Sequence, residues 1–249
     1  AVITGASSGI GAALVKAYRS AGFQVVANSR SIHPSDDPDI LAVQGDIAHA
    51  ATAERIFQLG VERYGRVDTL VNNAGIFMAK PFTEFTSADW AANISTNLEG
   101  FFHVSQQAVK WMQKQGSGHI VQITTSLADQ PIQGVPSVLA SLTKGGLNAA
   151  TKSLAIEYAA RGIRVNAVSP GIIKTPMNPP ETHETLNRLH PLGRMGEVDD
   201  VVKAVLFLEG ASFVTGEILH VDGGQSAGHW WACAERPSLC FTGKGASSR

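Results

Sequence analysis

The chain has 249 residues, 44% of them hydrophobic, which is enough for one large core at the upper end of single-domain sizes. Its 20 basic residues face 21 acidic ones, so it lacks the electrostatic footprint of a nucleic-acid binder or of a protein drawn to an acidic membrane surface. No apolar run approaches the roughly 18–20 residues that span a bilayer, and Cys233 and Cys240 lack metal-ligand spacing, so no membrane, nucleic-acid or metal partner is expected and a soluble cytoplasmic enzyme fits best.

Short apolar runs alternate with helix-compatible stretches, the signal for βαβ units. Strands are predicted at Ala1–Thr4, Gln24–Asn28, Leu41–Gln44, Thr69–Val71, His119–Thr124, Arg164–Val168 and Glu217–Val221. Their interiors are rich in Val and Ile with little alternation, as in strands buried on both faces. Helices are predicted at Gly11–Ala21, Ala51–Tyr64, Thr96–Lys114, Ser141–Ala160 and Val198–Glu209. The pattern specifies one α/β domain over residues 1–228: a doubly wound, Rossmann-type parallel sheet of about seven strands with helices on both faces. Ala1 already lies inside a strand, leaving room for a short leader ahead of it. Residues 175–195 contain Pro176, Pro179, Pro180 and Pro191 and read as a mobile loop or lid. His183 and His190 on that loop are expected to be solvent-exposed. His229–Arg249 reads as an appendage, disordered or artificial, whose Trp230 and Trp231 could instead dock on a partner subunit.

The first strand runs into Thr4-Gly5-Ala6-Ser7-Ser8-Gly9-Ile10-Gly11 and then into a helix. Glycines at such a junction allow a tight turn, close approach of backbone to a pyrophosphate and close packing of helix on strand. The free N–H groups of the helix start then face the anion. Gly5, Ser7, Ser8, Gly9, Ile10 and Gly11 are therefore candidate dinucleotide-binding residues. The end of the second strand reads Asn28-Ser29-Arg30. A ribose 2′-hydroxyl favours an acid there, whereas a 2′-phosphate is repelled by an acid and favours a cation. Ser29 and Arg30 favour NADP(H) over NAD(H).

Further motifs follow in order: Gly45-Asp46-Ile47, Asn72-Asn73-Ala74-Gly75, Asn97-Leu-Glu-Gly, Lys144 in Thr-Lys-Gly-Gly, Pro170-Gly171 followed by Thr175, and Val221-Asp222-Gly223-Gly224. With the glycine turn, these resemble the short-chain dehydrogenase/reductase family over residues 1–228. The resemblance implies that Asp46 and Ile47 face the adenine and that Asn73, Ala74 and Gly75 line the cofactor groove. It also implies that Pro170, Gly171, Ile172 and Thr175 hold the nicotinamide. In relatives the Thr96–Lys114 and Ser141–Ala160 helices make subunit contacts, which implies a homodimer or homotetramer and places His103 in core or interface. Small residues Gly145, Gly146, Ala149 and Ala150 would allow close helix approach.

Relatives reduce carbonyls with a Tyr-x-x-x-Lys pair, helped by a serine and an asparagine. Four-residue spacing puts the ammonium beside the phenol on one helix face and lowers the phenol pKa from about 10. Here Lys144 is present, but Ala140 stands where the tyrosine is expected. Tyr158 lies 14 residues beyond Lys144, roughly four turns away, and reads as packing. Thr125 matches the serine, with Ser126 beside it, and 15 positions separate Thr125 from Ala140, two more than is usual in the family. Asn97, Thr125, Ser126 and Lys144 are the candidate catalytic residues. Phe77 and Met78 could wall an apolar pocket for a small substrate, or simply pack in the core.

Three readings of this altered site remain. A substitute acid serves, either a water held by Lys144 and Thr125 or the substrate itself. Or the reaction needs no strong acid. Or the protein binds NADP(H) without turnover, as a sensor or oligomer partner. The intact cofactor machinery favours an NADP(H)-dependent oxidoreductase acting on a small carbonyl or alcohol.

Overall fold

The computed structural model describes residues 1–228, so Trp230, Trp231, Cys233, Cys240 and the appendage reading lie outside the described residues. Seven strands carry the apolar runs: β1 Val2–Thr4, β2 Val25–Ser29, β3 Ile40–Gln44, β4 Thr69–Asn72, β5 Gly118–Ile123, β6 Ile163–Pro170 and β7 Ile218–Val221. All pair in parallel, in the order β3-β2-β1-β4-β5-β6-β7. The order reverses between β1 and β4, and such a switch point opens a crevice at the carboxyl ends of the strands.

Alternate residues of each strand feed two cores. Val2, Leu70, Ile120 and Val165 pack against α2 (Ala50–Tyr64), α4 (Gly100–Gln115) and α5 (Val138–Tyr158). Ile3, Val71, Val121 and Val168 pack on the other side against α1 (Gly9–Ser20) and α7 (Val198–Gly210). The five inner strands β2, β1, β4, β5 and β6 are covered on both faces, which is why their sequences show no polar alternation, whereas the edge strands β3 and β7 are partly open. Among the described residues no helix is long and apolar enough to cross a membrane.

Element ends agree with the sequence reading to within about three residues, and two differences bear on the site. Helix α5 starts at Val138, not Ser141, which brings Ala140 into its first turn. The stretch predicted as helix from Thr96 opens with one π-helical turn, Ser95–Glu99, before α4 begins. Such turns shift the side-chain register and often mark functional positions. Two short helices were not expected. Helix α3 (Ser87–Ile94) is started by a reciprocal cap between Thr86 and Asp89. Helix α6 (His183–Asn187) sits within the proline-rich segment, so that segment is a folded flap and not an open loop.

The two flap histidines correct the expectation of solvent exposure. His190 is only 1% exposed. His183 is half-buried, with Nε2 2.9 Å from the carbonyl of Asn178. Tyr158 packs at the edge of the α2–α4–α5 core, as expected. His103 is half-buried, with its ring edge-on to the exposed Phe102.

Candidate active site

A cleft of about 710 Å³ opens along the carboxyl ends of the strands. Its first wall is the glycine turn. Gly5 and Gly9 have φ of 64° and 52°, a region that side chains avoid. A Cβ on Gly11 would collide with the Gly5 carbonyl, so Gly11 lies behind the turn and lets α1 approach β1. Ser8 caps α1 with an extended backbone, yet its hydroxyl takes no helix N–H, and the first turn holds no acid. The donors at this end therefore remain free for an anion. Ser7, Ser8 and Ile10 complete the turn's contribution to the wall.

The next loop is tied to that turn. Thr4 Oγ1 accepts the N–H groups of Asn73 and Ala74 at 3.1 and 3.0 Å, and Asn73 Nδ2 donates to the carbonyls of Thr4 and Gly5 at 3.0 and 3.2 Å. Gly75 has a different reason to lack a side chain, since a Cβ would come 2.8 Å from Lys144 Nζ. At the far end, Asn28 Nδ2 bridges the carbonyls of Val43 and Gly45, which joins β2 to β3. Ser29 and Arg30 line the cleft there, opposite Asp46 and Ile47. Arg30 is exposed, and its guanidinium makes no hydrogen bond or ion pair among the described residues. Asp46 accepts the N–H of Ala48 at 3.0 Å, which shapes its own loop.

At the other end the cleft meets β5, α5 and the flap. Ala140 is on the wall and 2% exposed. One turn along α5, Lys144 is buried, with Nζ donating to the Ile123 carbonyl at 2.9 Å. Burial pushes its pKa down to about 8. Thr125 is half-buried on the wall, its Oγ1 accepting the N–H of Leu127 at 3.4 Å, so its own proton remains available. Ser126 also lines the cleft, but its hydroxyl is given to Gln225 Oε1 at 2.7 Å. Asn97 sits behind the wall. Its Oδ1 accepts the Ile76 N–H at 2.9 Å, and its Nδ2 donates to the Ile76 carbonyl at 3.1 Å and to Thr143 Oγ1 at 3.2 Å.

Pro170, Gly171, Ile172 and Thr175 close the cleft, and Thr175 lies in contact range of the position a Gly9 Cβ would take. Phe77 is on the wall, whereas Met78 meets Asn93 through its sulfur. The loop before Ala140 lines the cleft through Leu127, Gly134 and Val135. Sequence reasoning missed the flap's Met177 and Leu186, and Gln225. Only Gln225, next to the Asp222-Gly223-Gly224 turn, had a nearby signal.

Free helix-start donors, glycines with no room for a Cβ and the polar rim at Arg30 fit a dinucleotide laid from Arg30 to Ile172. Comparison with known proteins agrees. A family profile described as enoyl-(acyl carrier protein) reductase matches residues 5–226. The chain is 37% identical to 3-oxoacyl-(acyl-carrier-protein) reductase of Thermotoga maritima, over 90% of this chain and 96% of that one. It is 35% identical to 3beta-hydroxysteroid dehydrogenase 1 of Eggerthella lenta, over 90% and 92%. The structure of ElxO with NADP bound superposes with a TM-score of 0.85 at 32% identity, covering 91% of this chain and 98% of that one. The Brucella melitensis 3-ketoacyl-(acyl-carrier-protein) reductase complexed with NADH gives 0.84 at 29%, over 90% and 97%. The glycine turn, the loops locked to it and these relatives together establish that the chain belongs to the short-chain dehydrogenase/reductase family and is an NAD(P)-dependent oxidoreductase.

Proposed function

We propose that this chain is an NADPH-dependent carbonyl reductase in which Lys144 and Thr125 serve the substrate oxygen in place of the absent phenol. The observation that carries the reading is the buried Lys144 ammonium beside the cleft, one helical turn beyond Ala140. Relatives named for a 3-oxo group and a 3β-hydroxyl support a carbonyl–alcohol pair.

The dinucleotide, held by Gly5–Ile10, Asn73–Gly75 and Pro170–Thr175, supplies hydride to a carbonyl carbon when bound. The chain's own task is to stabilise negative charge growing on the carbonyl oxygen and to deliver a proton there. A buried cation beside the cleft does the first better than one in bulk solvent would. With a pKa near 8, Lys144 is charged at neutral pH and also able to release its proton. A water between Lys144 and Thr125 passes the proton to the alkoxide and is restored from solvent through the cleft mouth. Asn97 acts indirectly, holding Ile76 and Thr143 on either side of this group. At the adenine end, Arg30 faces a 2′-phosphate with no acid opposing it at Ser29.

The experiment is NADPH oxidation across a broad panel of ketones, aldehydes and quinones. Native protein turns over at least one of them, Lys144→Ala abolishes that activity and Thr125→Ala reduces it. Native turnover insensitive to Lys144 would place the chemistry elsewhere. No turnover by native protein would favour a cofactor-binding role without catalysis.

The reading includes self-assembly through α4 and α5. Leu142, Gly146, Ala149 and Ile156 form an exposed apolar face on α5, with Ile156 83% exposed, and Phe102 is exposed on α4. A homodimer or homotetramer would bury this face. Light scattering at micromolar concentration gives a multiple of the chain mass for native protein and a smaller species for Ala149→Glu. A native monomer would refute assembly.

A further inference from the structure

Two hydrogen-bonded paths join the flap to the nicotinamide side of the cleft. His190 forms the first. Its Nε2 lies 3.0 Å from the Ile172 nitrogen and its Nδ1 3.0 Å from the Leu186 carbonyl. A backbone N–H can only donate and a carbonyl can only accept, so the ring is neutral, with its proton on Nδ1 and a bare lone pair on Nε2. Burial favours the same state, holding the ring pKa below the ordinary histidine value. Gln225 forms the second path. It accepts from Ser126 Oγ at 2.7 Å and donates from Nε2 to the Leu189 carbonyl at 2.8 Å.

The small residues around these paths have a physical reason. A Cβ on Gly171 would come 2.9 Å from both His190 Nε2 and Gln225 Oε1. Asp222 accepts the N–H groups of Gly224 and Ser226 at 2.9 and 2.8 Å, shaping the turn that presents Gln225. Gly223 (φ 60°) and Gly224 (φ 94°) lie under His190 and Pro191, and a Cβ on Gly224 would press on the proline ring at 3.1 Å. The Asp-Gly-Gly motif thus supports the base of the flap.

We propose that His190 is a positioning residue for the dinucleotide: its bare Nε2 fixes the Ile172 backbone that seats the nicotinamide, while Nδ1 fixes α6, so flap and nicotinamide seat move as one unit. The inference rests on the placement of the nicotinamide against Ile172 and Thr175 given above. Leu186, whose carbonyl is tied to the ring, also lines the cleft, so a substrate pressing on the flap is felt at Ile172. Losing the acceptor leaves the Ile172 N–H without its protein partner, and the loop must then be ordered when the cofactor binds.

The test compares His190→Gln, which keeps an acceptor near the Nε2 position, with His190→Asn, which is too short to reach Ile172. Each is titrated with NADPH or NADH, whichever native protein binds more tightly, and with the matching nicotinamide-free half, 2′-phospho-ADP-ribose or ADP-ribose. His190→Asn should weaken the whole dinucleotide about tenfold, leave the half-molecule within about twofold, and be largely rescued in His190→Gln. Equal losses for dinucleotide and half-molecule, or an unchanged dinucleotide affinity in folded His190→Asn, would overturn the proposal. Because the readout is binding, absence of turnover would sink the reductase reading and leave this result standing.

Discussion

From Gly5 to Ile47 the cleft is built of backbone. Glycines remove side chains where a ligand or helix must come close, Thr4 and Asn73 lock two loops together, and Asn28 locks two strands. From Thr125 to Leu189 it is built of side chains. Ala140, Leu127, Val135, Met177 and Leu186 form the wall, and Lys144 and Thr125 supply the polar groups. The first region meets a pyrophosphate common to both nicotinamide dinucleotides, so its geometry is fixed by φ angles and short polar ties, with Ser29 and Arg30 at the one place where the two cofactors differ. The second must fit a particular substrate, so its shape is set by which side chains pack along the wall.

The largest test of that contrast is Ala140→Tyr. If the substrate side differs only by the missing phenol, the substitution places a phenol one turn from Lys144 and raises reduction of generic ketones or quinones by about 10² to 10⁴. The site must accept the ring, so retained NADPH binding and an unchanged melting temperature are measured alongside. A folded, cofactor-binding Ala140→Tyr protein with no gain would mean that the Leu127–Leu139 loop, and not the missing group, separates the two regions.

A smaller effect sharpens the other half. Arg30→Ala should weaken NADPH about tenfold, as expected when a charge-assisted contact worth roughly 1.5–3 kcal/mol is lost, and leave NADH unchanged. Fluorescence titration of both cofactors reads this directly. Equal affinities in native protein, or a preference for NADH unaffected by Arg30→Ala, would remove the case for the 2′-phosphate.

The same contrast explains what the sequence could disclose. The glycine turn is legible because a tight strand-to-helix junction admits a small menu of residues, whereas Asn73–Gly75 and Asp46 are legible only through the family resemblance, and all the candidate residues among them line the cleft except Gly11, which lies behind the turn. The inner strands are legible because burial on both faces leaves a continuous apolar run. The flap is not legible because four prolines disfavour a long helix without forbidding the five-residue α6. The burial of His190 is not legible because the ring's partners, the Ile172 N–H and the Leu186 carbonyl, are backbone groups that leave no mark in the sequence. Ser126 matched a serine pair, yet Gln225, 99 residues away, takes its hydroxyl. Asn97 stands in the π-helical turn, bonded to Ile76 and Thr143, and no local pattern announces such a turn.

The central claim is that a cationic Lys144 faces the reacting oxygen, and the pH dependence of kcat/KM tests it most directly because that ratio reports ionisations of the free protein. The Lys144 pKa is lowered to about 8, so the group is charged below that value and neutral above it. The account predicts a level kcat/KM for NADPH-driven carbonyl reduction below about pH 8 and a fall of about tenfold per unit above it. A profile flat from about pH 7 to 10, or the same profile in Lys144→Met, would contradict it.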